Sequence, residues 1–431
     1  MNIEQLYSLY LRCQRVSIDT RQDLTKAMFF GLKGANFNGN QYAQQAIDSG
    51  ALFAIVDEKE YADESKDIYY VEDSLNALQK LAMYHRQQLK IPIIALTGSN
   101  GKTTTKELIT TVLSKKYKVA STVGNLNNHI GVPLTLLSIH PNHEIAVVEM
   151  GANHLLEIEF LTKIIQPDFG YITNFGKAHL EGFGGVEGVV KGKSELYDYL
   201  RENKKQAFVN CHDPKQMELT QDIKRITFGN CPNADYSFFY DENLTGNCPA
   251  IVYENHFIQS HLVGEYNVNN VAAAMAIGLT FDIEIEDIKD AIESYQSSNN
   301  RSQIVDTKNH RIILDAYNAN PSSMEAALCN FAKIQGDKAV ILGDMFELGE
   351  NSAVEHHHVA KMACQMGFNQ VILIGKNFRK VNLEEFDELR IFESKELATN
   401  YLKKHPITEK NLLIKGSRGM ALENLIELFD Y

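Results

Sequence analysis

Short apolar runs recur along the chain. Each is closed by glycine or polar residues and followed by a stretch with helical spacing. Ile93-Ile94-Ala95-Leu96, Ile145-Ala146-Val147-Val148 and Gly170-Tyr171-Ile172-Thr173 do this in the middle of the sequence. Ile312-Ile313-Leu314, Ala339-Val340-Ile341-Leu342, Val371-Ile372-Leu373-Ile374 and Asn411-Leu412-Leu413-Ile414 repeat the style toward the end. Apolar strands alternating with helices predict α/β architecture built on mostly parallel, doubly wound sheets. The N-terminal part mixes shorter elements, with a buried strand at 51–56 and a loop at 34–40. Two polar stretches, 85–90 and 294–302, read as joints. Cutting there predicts three α/β domains, 1–88, 89–298 and 299–431, each of ordinary domain size.

Composition narrows the class. The 431 residues are 44% hydrophobic and 23% charged, which fits a globular chain with several cores. The net charge of −13, with no basic run, speaks against nucleic acid or an anionic membrane as partner. No apolar run approaches the ~18 residues of a membrane span. The start, MNIEQLYSLYLRC, is neither a signal nor a transit peptide, so a cytoplasmic location is expected. Cysteines 13, 211, 231, 248, 329 and 364 include no C-x-x-C pair and fit no zinc spacing. Free, partly buried thiols are the expectation.

The sharpest chemistry is Thr97-Gly98-Ser99-Asn100-Gly101-Lys102-Thr103-Thr104, between the 93–96 strand and a helix expected from Thr104. Small residues let backbone N–H groups close around phosphate oxygens. The helix N-terminus favours an anion, Lys102 adds charge, and the Thr103 hydroxyl suits magnesium. Position 96 is Leu, so the motif is the shorter G-x-x-G-K-T form. Glu149 immediately follows an apolar strand at the same expected sheet edge; it reads as a metal ligand or as a capping surface acid. His179, beyond another strand end, reads as a ligand or as an ordinary polar histidine. The 182–192 stretch has five glycines and reads as a flexible loop. Lys191 and Lys193 after it read as a solvated face, and His356-His357-His358 as a polar helix start.

Together these residues resemble the Mur ligases. The resemblance rests on the 96–104 segment, on Val148-Glu149-Met150-Gly151-Ala152-Asn153, on 174–184, and on Tyr266-Asn267-Val268-Asn269-Asn270. In the last part, Leu314-Asp315-Ala316-Tyr317-Asn318-Ala319-Asn320-Pro321 resembles the branch that adds D-alanyl-D-alanine. The 342–350 segment and Ile414-Lys415-Gly416-Ser417-Arg418 agree with it. The likeness runs colinearly over nearly the whole chain.

The resemblance implies a UDP-sugar-binding N-terminal domain, a central P-loop ATPase-like domain and a Rossmann-like C-terminal ligase domain. It implies ATP and Mg2+, with Gly98 through Thr104 on the phosphates and Thr103, Glu149 and His179 on the metal. Family members carry a carbamylated lysine here, and counting back four residues from Tyr197 favours Lys193 over Lys191. Asn270 and Arg301 would lie near adenine and phosphates, and Asp315 near the ribose. Tyr317, Asn318 and Asn320 would belong to the nucleotide and dipeptide site. Asp19-Thr20-Arg21 and Phe37 would touch the UDP-sugar, although 38–40 departs from the family's D-G-H and Leu156 stands where glycine is common. The implied reaction is ligation of D-alanyl-D-alanine to a UDP-N-acetylmuramoyl tripeptide by a monomer. A sister ligase, a folylpolyglutamate-type ligase and a P-loop regulator remain as alternatives.

Overall fold

The computed structural model describes residues 1–240, 248–297, 300–381 and 388–429. Its main sheets, of four, seven and six strands, follow one another in chain order. The cut after Gln88 falls at the end of the Ser74–Gln88 helix, and the cut after Ser298 lies outside the described residues.

The first sheet is parallel: Arg15–Ser17, Ala27–Phe30, Phe53–Val56 and Ile68–Tyr70 lie side by side. The 34–40 segment is more than a loop. Lys33–Gly34 and Phe37–Asn38 pair as a small hairpin that runs into a tight turn at Gly39–Tyr42.

The central sheet runs Tyr236–Ser237, Lys224–Gly229, Gln206–Asn210, Phe169–Ile172, Ile93–Thr97, Ile145–Glu149, Val119–Ser121, all parallel. The chain starts it at Ile93–Thr97 and builds two strands to one side. It then crosses to Phe169–Ile172 and builds outward the other way. Strand order therefore reverses between Ile93–Thr97 and Phe169–Ile172, and the loops leaving their carboxyl ends diverge around a crevice. Ile93–Thr97 and Ile145–Glu149 are buried at every position, as a sheet covered on both faces requires.

The third sheet runs Gln303–Asp306, Arg311–Asp315, Asn411–Lys415, Lys338–Gly343, Gln370–Ile374, Leu389–Phe392. Only its first pairing is antiparallel. No helix among the described residues is long and apolar enough to cross a membrane.

Several local expectations are corrected. The polar 85–90 stretch is no loose joint, because His85 and Arg86 are buried in the last turn of Ser74–Gln88. His85 Nε2 lies 2.9 Å from the Ile139 carbonyl. Arg86 donates at 2.9 Å to the carbonyls of Ile165 and Gln166 and to Asp168. The glycine-rich 182–192 stretch is not one flexible loop: it belongs to two helices, Leu180–Phe183 and Val186–Glu202, with only Gly184 and Gly185 as the turn between them. A Cβ at Gly188 would sit 1.8 Å from the Phe183 carbonyl oxygen, so the glycine serves close backbone approach rather than mobility. The 356–358 histidines lie inside the Ser352–Gln365 helix rather than at its start, and His356 is fully buried, accepting from Met345 N–H at 3.0 Å.

The cysteine expectation also fails in part. Cys211 and Cys231 form a disulfide; Cys13, Cys248, Cys329 and Cys364 are free. Gln206–Asn210 and Lys224–Gly229 are adjacent parallel strands, so residues just past their ends meet at one sheet edge. A sequence separation of 20 conceals that meeting.

Candidate active site

The loop 98–101 leaves Ile93–Thr97 at the point where strand order reverses. The helix after it is Lys102–Leu113, two residues earlier than expected. Gly98 has φ +143° and lies so close to the next strand's end that a Cβ would meet Thr173 Oγ1 at 2.0 Å. Only glycine fits there. That strand end also pins the loop: Ser99 N–H donates to Asn174 O at 3.0 Å, Asn100 N–H to Asn174 Oδ1 at 3.1 Å, and Thr173 Oγ1 to Asn100 O at 2.6 Å. Gly101 caps the helix without a side chain, which leaves first-turn N–H groups for an anion. Lys102 folds back, its Nζ donating to Gly98 O at 2.8 Å and Ser99 O at 3.3 Å. Desolvation lowers its amine from the ordinary lysine range, and Glu149 works against that shift. Thr103 and Thr104 are buried beside it.

Glu149 is the last residue of its strand rather than the residue after it. Its Oε1 accepts from Asn127 Nδ2 at 2.8 Å. Its Oε2 is buried with no hydrogen-bond partner. An unpaired carboxylate oxygen in a closed wall is costly, and a cation would satisfy it. The residues thus fit a divalent metal, with Glu149 and the Thr103 hydroxyl as donors. His179 lines the same space, but its Nδ1 is paired with Glu347 Oε2 of the C-terminal unit, leaving Nε2.

Lys193 is 1% exposed, against the expected solvated face, whereas Lys191 is exposed as expected. The Lys193 Nζ donates to Ala152 O at 3.0 Å and lies 5.0 Å from the Phe183 ring centroid. Burial pushes its amine well below the ordinary lysine range, and Lys102 adds to the shift. Such burial favours the neutral amine over the cation.

The C-terminal unit closes the other wall. Arg301 stacks on Tyr317 with its guanidinium carbon 3.7 Å from the ring centroid, and its Nε is buried without a partner. Asp315 pairs across adjacent strands with Lys415, Nζ to Oδ2 at 2.5 Å, and accepts from Ser302 N–H at 3.3 Å. Lys415 also reaches Asn318 O at 3.3 Å. Asn320 caps the Pro321–Ala332 helix and donates to Asn100 Oδ1 at 2.7 Å, which joins the C-terminal unit to the phosphate loop directly.

These residues surround one cavity of about 950 Å3. Ser99 through Thr104, Glu149, His179 and Asn270 line it from the central unit. Arg301, Asp315, Tyr317, Asn318 and Asn320 line it from the other side. Gly98 and Lys193 sit behind the wall, each hydrogen-bonded to it. Asp19, Thr20, Arg21 and Phe37 do not reach this cavity. Asp19 forms a surface ion pair with Arg21, which pulls its carboxyl down to about 2. Phe37 stacks on Tyr42 at 5.3 Å between centroids. Sequence reasoning named no role for Lys415, Asn127 or Glu157, which also line the cavity. A charged residue ending the apolar 411–414 strand was the available signal for Lys415. Asn127 and Glu157 carried none: Asn127 lies in a loop, and Glu157 opens the Glu157–Ile165 helix.

The Mur ligase middle domain matches residues 96–278, and the Mur ligase, glutamate ligase domain matches residues 300–418. The UDP-N-acetylmuramoyl-tripeptide–D-alanyl-D-alanine ligase of Buchnera aphidicola is 32% identical over 439 residues, covering 99% of this chain and 94% of that protein. A crystal structure of MurF from Acinetobacter baumannii superposes with a TM-score of 0.86 at 30% identity, covering 100% of this chain and 99% of that one. The MurF ligase of Thermotoga maritima in complex with ADP follows with a TM-score of 0.82 at 26% identity, with 98% of each chain covered. With a P-loop at the switch point of its central sheet and a second sheet docked across it, this chain belongs to the Mur ligase family, among the UDP-N-acetylmuramoyl-tripeptide–D-alanyl-D-alanine ligases.

Proposed function

We propose that this protein joins D-alanyl-D-alanine to the terminal carboxylate of a UDP-N-acetylmuramoyl tripeptide, at the expense of ATP, as the last cytoplasmic step toward the peptidoglycan pentapeptide precursor. The observation that carries this reading is the single cavity in which the phosphate loop of one unit faces Arg301, Asp315 and Asn320 of the next.

A carboxylate is a poor electrophile for an amine. Its oxygen first attacks the γ-phosphoryl group in line, giving an acyl phosphate and ADP. Positioning and charge neutralisation do most of the work in such a transfer. Lys102 would leave Gly98 O for the phosphates, and the free N–H groups at 102–104 would hold them. Asp315, fixed by Lys415, would take ribose hydroxyls, while Asn270 and Arg301 flank base and phosphates. The free amine of the dipeptide then attacks the acyl carbon, and phosphate leaves through a tetrahedral intermediate. Tyr317, Asn318 and Asn320 are the groups proposed to orient the dipeptide. Asp19, Thr20, Arg21 and Phe37 would hold the UDP-sugar in the N-terminal unit.

Thr103, Glu149, His179 and a carbamylated Lys193 would hold magnesium, which when bound neutralises charge between the phosphates and the incoming carboxylate. Carbamylation adds CO2 to the neutral amine with release of one proton and leaves an anionic oxygen acceptor in its place. The proposed working state is a monomer.

The test is incubation with ATP, magnesium, D-alanyl-D-alanine and UDP-tripeptides ending in either diaminopimelate or lysine. A pentapeptide mass with stoichiometric phosphate is the expected result. ATP hydrolysis uncoupled from any UDP-peptide would reject the reading.

A further inference from the structure

The Cys211–Cys231 disulfide does not line the ligase cavity, but the segment that carries Cys211 leads directly into its wall. Cys211 follows the Gln206–Asn210 strand and stands two residues before Asp213, which lines the cavity together with Lys215. Cys231 follows the neighbouring strand, Lys224–Gly229. The segment that carries Cys211 is tied to the Val268–Thr280 helix, and that helix to the one behind the phosphate loop. Asn210 accepts from His212 N–H at 3.0 Å and donates to Asn269 Oδ1 at 3.1 Å. The next residue, Asn270, accepts from Thr105 Oγ1 at 3.0 Å and packs on Gly101.

The pair is also built to react. Both cysteines are partly exposed, so a reductant can reach them. A ring nitrogen of the exposed His212 lies within 4.8 Å of both sulfurs, so the bond sits in a polar, open setting rather than in an apolar core. A disulfide in a protein that works in the cytoplasm is usually transient and redox-sensing rather than a structural staple.

We propose that Cys211 and Cys231 form a reversible thiol–disulfide switch that sets the phosphate-loop wall of the cavity and hence the affinity for ATP. The partner is a small or protein-borne thiol–disulfide couple. In oxidation, one cysteine thiolate attacks the partner's disulfide and releases one thiol. The second cysteine then attacks the mixed disulfide and releases the other, so two electrons and two protons pass to the partner. Reduction is the reverse. The kinetic arm rests on the ligase reading; the redox arm does not.

The experiment equilibrates the whole protein in dithiol/disulfide buffers of graded potential, traps thiols by alkylation and maps them by mass. The expected oxidised form has the 211–231 linkage with cysteines 13, 248, 329 and 364 alkylated. The expected reduced form has all six cysteines alkylated. KM for ATP should differ by about threefold to tenfold between the two forms, the scale on which such remote contacts modulate a site. Cys231→Ser should hold one KM value at every potential. Alkylation of Cys211 and Cys231 at every potential overturns the switch. So does a linkage that forms and breaks without changing KM. Stoichiometric zinc on the reduced protein, held by these cysteines and His212, would overturn it in favour of a metal centre. Failure to ligate any UDP-tripeptide in either state defeats the ligase reading alone, because the thiol map stays readable.

Discussion

Lys102 and Lys193 are two lysines held in opposite ways. Lys102 rests on carbonyls of its own loop, which under the proposed function it would leave for an incoming phosphate. Lys102→Ala is expected to lower ligation by about 10^3-fold, the scale for removing one preorganised electrostatic group. Its thermal midpoint should stay that of the wild type, which a melting curve beside the rate assay checks. Lys193 is locked inside the protein as an amine that resists protonation. Between its lowered folded pKa and the unfolded value of about 10.4, the unfolded chain binds a proton that the native state refuses. Wild-type stability from this group should therefore rise with pH across that window. In CO2-free buffer, Lys193→Met should melt higher than wild type near pH 7, with the gap closing toward alkaline pH. The same variant should be inactive, and Lys193→Ala should regain part of its ligation with added short carboxylic acids. Full activity in Lys193→Ala without them would reject the carbamate. The strand, glycine turn and helix around 98–101 were legible in the sequence because their pattern is local. The burial of Lys193 was not, because it depends on which face of the Val186–Glu202 helix meets the Leu180–Phe183 helix.

That helix pair shows how an element is misread when glycine is taken as a sign of looseness. Propensity alone says Gly188→Ala should stabilise a helix by about 1 kcal/mol. The packing says otherwise, since the new Cβ would lie 1.8 Å from Phe183 O. Overpacking of this kind costs about 1–3 kcal/mol, so net destabilisation is expected in a denaturant titration. Ligation should fall with it, because Lys193 rides on the same helix. A stabilised Gly188→Ala would mean that the two helices separate easily. Strands fared better than loops and joints at this scale. The apolar runs at 93–96, 145–148, 339–342 and 411–414 are all strands of parallel sheets. A run buried on both faces needs no tertiary knowledge to be recognised. His85 and Arg86 were misread because their partners, Ile139, Ile165, Gln166 and Asp168, lie more than 50 residues away.

At the scale of the molecule, the C-terminal unit is docked on the central one through polar contacts rather than a wide apolar seam alone. Asn320 meets Asn100, Lys177 pairs with Glu355 at 2.9 Å, Lys333 with Glu265 at 2.6 Å, and Glu347 with His179. Such contacts are individually weak, which would suit the opening that the proposed three-substrate reaction requires. His179 holds the Glu347 carboxyl below the usual glutamate range. The sign follows: the contact supports closure above the ordinary carboxylate pKa, about 4.3, and is lost as pH falls through the lower folded value. Glu347→Gln should therefore remove this acid-side loss from the stability profile of the protein while leaving its radius of gyration by X-ray scattering unchanged, because one weak pair does not hold the units together. A stability profile in acid identical to that of wild type would mean that the pair contributes nothing. The sequence by itself determined the α/β class, the phosphate loop and the family, because strand hydrophobicity and a glycine-lysine turn are written in neighbouring residues. Only the tertiary structure decided that Lys415 fixes Asp315, that Glu149 keeps one oxygen unpaired, that Glu347 reaches His179, and that Cys211 meets Cys231. Each of those depends on two segments brought together by sheet order, and spacing along the chain carries no record of that distance.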